Sequence, residues 1–76
     1  LFLKLNRFQA GCEVFAGAVA PDGSPAWIRA TGAAPVAEKD ADAYLSRQAG
    51  YDPDLWVVEI EDPQGQFVFD EPVLKV

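Results

Sequence analysis

Apolar and polar positions alternate from the first residue. Leu1, Leu3 and Leu5 share one side of an extended segment and Phe2, Lys4 and Asn6 the other, the period of two of a half-buried strand. Arg7 to Gly11 reads as a turn. From Cys12 to Val19 the alternation resumes, with Val14, Ala16 and Ala18 opposite Glu13, Phe15, Gly17 and Val19, and Gly17 marks a bulge or a close approach. Pro21, Asp22, Gly23, Ser24 and Pro25 then form a turn, since proline presets φ, aspartate bonds nearby backbone and glycine accepts a left-handed conformation. A hairpin partner follows over residues 26–30, and residues 31–35 close it as a loop.

The period changes to helical over residues 37–49, where Ala41, Tyr44, Leu45, Gln48 and Ala49 fall on one face. Glu38, Asp40 and Asp42 crowd the first turns and Arg47 lies in the last, the order that the helix dipole favours. Gly50 is the expected stop. The cap is ambiguous: neither Pro35 nor Val36 caps well, and Asp40 would shorten the helix.

Asp52, Pro53 and Asp54 predict a second tight turn, and a strand emerges from it. Trp56, Val58 and Ile60 line one side of that strand, and Leu55, Val57, Glu59 and Glu61 the other. Asp62, Pro63, Gln64 and Gly65 make a type I turn that returns the chain into an expected hairpin strand over residues 66–70. The predicted fold is α+β: a small, mainly antiparallel sheet with a three-stranded meander, one helix packed on a face and a closing β-hairpin. Residues 1–76 are read as a single α+β domain, with 73–76 a tail.

A chain of 76 residues buries only about 60% of the surface it exposes when unfolded. Half of its residues are hydrophobic, but 12 of these are alanine, so large core side chains are scarce. The net charge of −6 is uneven: residues 1–37 sum to +1 and residues 38–76 to −7. Such a distribution argues against nucleic acid and against a basic membrane-surface helix, because Lys4, Arg7 and Arg29 make no stripe. The single cysteine excludes an internal disulfide, and the absence of histidine removes the common zinc spacings. With no long apolar run and no signal segment, the expectation is a soluble, cytoplasmic protein without a cofactor. The first residues already alternate, without methionine or a polar lead-in, from which a truncated or partly disordered amino terminus is expected.

The opening Leu3-Lys4-Leu5-Asn6-Arg7 stretch, the Trp27-Ile28-Arg29 strand, the Asp42-Ala43-Tyr44-Leu45 helix and the run from Asp52 to Asp62 together resemble a known family. They are similar to the small bacterial proteins grouped as domain-of-unknown-function family 1491, over about residues 1–71. The resemblance implies the same fold and a cytoplasmic location. It brings no catalytic residue, since that family has no assigned activity. Its members carry a further amino-terminal helix and strand before this segment, so the domain is expected to lack them.

Clustered carboxylates at Asp54, Glu59 and Glu61, with Asp52 and Asp62 near in sequence, are the candidate ligands for a hard cation. The simpler reading makes Glu59 and Glu61 the solvent side of an amphipathic strand and Asp52 and Asp54 turn residues. Acid and base roles in glycoside hydrolysis find no cleft-forming loops to support them. Cys12 has no histidine to activate it and reads as a small buried hydrophobe; Ser24 and Ser46 have no base either. Tyr44 and Trp56 are assigned to the core. Trp27 and Tyr51 stay open between core and partner-binding surface.

The leading expectation is a non-enzymatic interaction or accessory domain that binds a protein partner or itself, with strand 1 as an exposed edge. The alternatives are a metal-assisted hydrolase using the clustered carboxylates and an acidic mimic of DNA that occupies a basic protein.

Overall fold

The computed structural model describes residues 1–74. Five strands form one sheet: β1 (Phe2–Asn6), β2 (Cys12–Val19), β3 (Pro25–Arg29), β4 (Val57–Glu61) and β5 (Val73–Leu74). A single helix, α1 (Glu38–Tyr51), joins β3 to β4, and a 3-10 turn (Phe8–Ala10) joins β1 to β2. The sheet order is β4-β1-β2-β3-β5.

The meander is present, since β1 pairs with β2 and β2 with β3 in antiparallel fashion. The sheet as a whole is mixed rather than mainly antiparallel, because β4 joins β1 and β5 joins β3 in parallel. Helix α1 accounts for the first of these parallel pairs: a helical crossover can return the chain in its original direction, which a tight hairpin cannot. Strand β1 therefore lies inside the sheet, flanked on both sides, and is not the exposed edge expected from its place at the start of the chain. The outer strands are β4 and β5.

The closing hairpin is absent too. After the turn at residues 62–65, residues 66–70 do not pair with β4; they cross the sheet face and bring Phe67 and Phe69 onto its core. Alternation in Phe67-Val68-Phe69 is satisfied by turning two half-buried aromatics to the core and leaving Val68 in solvent. The carboxylate of Asp62 accepts the N–H groups of Gln66 and Phe67 at 2.9 and 3.0 Å, taking two donors that a strand ladder would have used. Of the tail expected over 73–76, Val73–Leu74 form β5; the remaining two positions lie outside the described residues.

The two sides of the sheet are built differently. On one, Leu3, Leu5 and Phe15 pack with Trp27, Ile60, Phe67, Phe69 and Val73. Aromatic edges meet faces there, with Phe15 and Phe69 centroids 4.7 Å apart and Phe67 and Phe69 4.9 Å apart. On the other side α1 lays Ala41, Tyr44 and Leu45 against Cys12, Val14 and Phe2. Tyr44 meets Phe2 edge-on at 5.9 Å, half-buried as a boundary of that core.

The helix runs through Gly50 and stops at Asp52, whose φ of −137° and ψ of 95° are extended. Pro53 imposes that stop, because a residue preceding proline is driven out of the helical region. Ala37 occupies the cap position and supplies no side-chain hydrogen bond, which resolves the ambiguity at that end. None of the described helices is long and apolar enough to cross a membrane.

Candidate functional site

The register of β1 places Lys4 between Val14 of β2 and Glu59 of β4, on the side covered by α1. Glu38 and Asp42, one helical turn apart, hang from α1 over the same point. The Lys4 Nζ donates to Asp42 Oδ1 at 2.7 Å and Glu38 Oε2 at 2.8 Å, with Glu59 Oε1 at 3.6 Å. Its side chain is 5% exposed, whereas the three carboxylates are about half exposed and close over it. Burial works against its charge. The bonds to Asp42 and Glu38 and the field of Glu59 outweigh it and hold the ammonium above the ordinary lysine value. Such a lysine stays protonated and is neither a nucleophile nor a base at neutral pH.

Asn6 extends the network. Its Nδ2 donates to Glu38 Oε2 at 3.2 Å, and its Oδ1 accepts from the Phe8 N–H at 2.8 Å and from Cys12 Sγ at 3.4 Å. Phe8 sits at φ +57°, a costly conformation for an aromatic residue, and this bond helps to hold it. Cys12 is buried, and burial pushes its thiol up against the pull of Lys4. It remains a protonated thiol, as a small core residue should.

The carboxylates that lie close in sequence separate in space. Asp52 and Asp54 belong to the turn before β4, where Asp52 Oδ1 accepts the Asp54 N–H at 3.1 Å. Asp62 closes the turn after it. Its carboxyl is held below the usual aspartate range by the N–H groups of Phe67 and Gln66. Glu59 faces Lys4. Among the described residues no group of three or more side chains is placed to hold a metal ion. Carboxylates elsewhere are spent locally: Glu13 receives Arg29 at 3.1 Å, Asp22 receives the Ser24 hydroxyl at 2.6 Å, and Glu71 receives the Trp27 indole at 2.8 Å. They fall in unrelated settings, which lends nothing to a regular acidic stripe.

The aromatic candidates also part company. Trp27 packs half-buried against Phe69, with centroids 5.3 Å apart. Tyr51 ends α1 at 80% exposed. Trp56, assigned to the core by alternation, is 76% exposed. It precedes β4 on the aromatic side of the sheet, but the crossing segment covers that side only as far as Ile60.

Among the described residues no strand pairs with the outer edge of β4. Phe2 N–H donates to the Trp56 carbonyl at 2.8 Å and Asp62 N–H to the Asn6 carbonyl at 2.7 Å, bracketing the parallel ladder with β1. Even-numbered residues of β4 therefore turn their backbone groups toward β1, and Val57, Glu59 and Glu61 turn theirs outward. Beside that edge, on the aromatic side, Trp56 and Val58 are exposed; on the helix side are Val57, Glu59 and Glu61. Sequence reasoning missed both Lys4 and this edge. The signals were a lysine at an inward position of a strand, and a helix standing between two strands.

Comparisons with known proteins agree with this fold. The family model described as "Protein of unknown function (DUF1491)" matches residues 1–70. The crystal structure of a DUF1491 family protein from Caulobacter crescentus CB15 is similar at 38% identity and a TM-score of 0.77, over 96% of this chain and 67% of that one. An NMR structure of a DUF1491 family protein from Caulobacter crescentus CB15 gives 37% identity and a TM-score of 0.71, over 97% and 66%. This chain spans about two thirds of the length of those proteins. The search of curated proteins finds no match. With nearly its whole length matched by one family model and by solved members, the chain belongs to the DUF1491 family of proteins of unknown function.

Proposed function

We propose that this chain is a non-enzymatic interaction domain whose docking element is the outer edge of β4. The observation that carries the reading is the outward set of backbone groups at Val57, Glu59 and Glu61 next to exposed Trp56 and Val58. An open strand edge offers main-chain hydrogen bonds to an extended segment, and apolar side chains beside it supply the burial that makes such pairing persist. The reactive groups elsewhere favour binding over chemistry. Lys4 is locked as a cation and Cys12 as a thiol.

Selection from a library of random displayed peptides, with the wild-type chain and Val57→Pro as paired baits, tests this. Proline at the first residue of an edge strand removes one outward N–H and leaves the bond from Phe2 to Trp56 in place. Extended peptides enriched on the wild type and lost on a folded Val57→Pro are the expected result. Peptides that bind both baits equally would sink the reading.

A further inference from the structure

The chemistry of the partner can be taken further by treating the two sides of the β4 edge separately. On the aromatic side a strand laid beside β4 would meet Val58 and Trp56, with Leu1 behind them, and no charged side chain of β4. On the helix side it would meet Glu59 and Glu61, with Val57 at the strand's start. Beyond Glu59 lie Glu38 and Asp42, and this group of three carboxylates is opposed by the single ammonium of Lys4. One side of the edge is thus apolar and the other is negative. Successive side chains of a strand point to opposite sides, so an occupant that suits both must alternate apolar and basic residues.

We infer that the partner of β4 is an extended segment of alternating apolar and lysine or arginine residues, its apolar side over Val58 and Trp56 and its basic side over Glu59 and Glu61. This rests on the reading of β4 as the docking edge and adds the partner's charge and pattern. A second copy of the chain is a poor occupant. An antiparallel pairing of two β4 strands in register about Glu59 sets Glu59 against Glu59 and each Glu61 against a valine, and like charges directly opposite one another are destabilising. The same carboxylates that select a basic strand therefore work against self-pairing.

Three labelled synthetic peptides test the inference: valine alternating with lysine, with glutamine and with glutamate. Binding is read by fluorescence anisotropy, and its place by the amide resonances of Val57, Glu59 and Glu61. The lysine peptide should bind tightest, shift those amides and weaken as ionic strength rises. Glu59→Gln with Glu61→Gln should weaken it by on the order of tenfold and leave the glutamine peptide unchanged. Glu61→Gln alone, outside the Lys4 ion pairs, should give part of that loss without disturbing the fold. If the glutamine peptide shifts the same amides with equal affinity, the charge inference fails and the docking edge stands. If no peptide shifts them, both fail. A concentration-dependent dimer at neutral pH that protects these amides would replace the basic partner with a second copy and overturn the inference.

Discussion

The two sides of the sheet solve the same problem, covering the middle of a short sheet, with opposite materials. The aromatic side is closed by an irregular segment that brings Phe67 and Phe69 down onto Leu3, Leu5 and Phe15. The helix side is closed by a regular element, yet it holds a charge: Lys4 is buried among Val14, Asn6 and the carboxylates of α1. Regular structure is therefore no guide to which side is the drier. The stability of the aromatic side scales with area removed from water, whereas the helix side adds the pairing of one buried ammonium to the apolar contacts of Ala41, Tyr44 and Leu45 with Cys12, Val14 and Phe2.

The largest expected effect comes from emptying the aromatic side. Phe15 is buried, with Phe69 against one flank and the Arg29 guanidinium 5.2 Å from its ring centroid. Phe15→Ala should cost about 4 kcal/mol, a large share of the stability of any domain this size. Urea denaturation followed by circular dichroism measures it. A loss below about 1 kcal/mol would mean that the crossing segment collapses into the gap and that this side is not the rigid one.

On the helix side, Lys4→Met should cost about 2 kcal/mol. The figure is lower than for a fully buried pair because Glu38, Asp42 and Glu59 are half exposed and can rehydrate when the ammonium is gone. Combining Lys4→Met with Glu38→Gln and Asp42→Asn should recover most of that loss, since the three carboxylates no longer repel one another uncompensated. If the triple variant is no better than Lys4→Met, then the loss does not come from repulsion among the carboxylates left without their cation.

Acid and alkali separate the sides again. Asp62 anchors the crossing segment, and its carboxyl is lowered by the N–H groups of Phe67 and Gln66. A lowered folded value means stabilisation that is present above the ordinary aspartate range of about 4 and lost as pH falls through the folded value. Lys4 is raised, so its contribution is present below the ordinary lysine value of about 10.4 and lost as pH rises past it. Asp62→Asn should flatten the acid limb of a melting-temperature profile and leave the alkaline limb alone. An unchanged acid limb would show that the turn at residues 62–65 holds without the carboxylate.

Much of this was legible in the chain because it depended on local pattern. Strands 1 to 3, the turns at Gly23 and Gly65, the helix and the burial of Cys12 follow from alternation, turn chemistry and helical spacing. Sheet order did not follow, because alternation states that a segment is extended and not which neighbour it takes. Val57 to Glu61 reads the same beside β1 as in a hairpin with residues 66–70. Phe67 and Phe69 could be read as strand residues for the same reason. The Lys4 network was hidden in another way: Lys4, Glu38, Asp42 and Glu59 are far apart in sequence and each alone looks like a solvated charge.

The smallest effect belongs to the uncovered end of the aromatic side, where Trp56 stands in solvent while Trp27, across the same surface, lies against Phe69 and donates to Glu71. Trp56→Ser should change stability by no more than about 0.5 kcal/mol, as expected of a residue that no core contact claims. The same change leaves Trp27 as the one indole, so emission should move to shorter wavelength and resist a soluble quencher better than in the wild type. Peptide binding at β4 should fall by on the order of tenfold, because an exposed aromatic at a docking edge contributes little until it is covered. A loss of stability above about 2 kcal/mol with binding intact would place Trp56 in the core after all, and the open end of this side would then not exist.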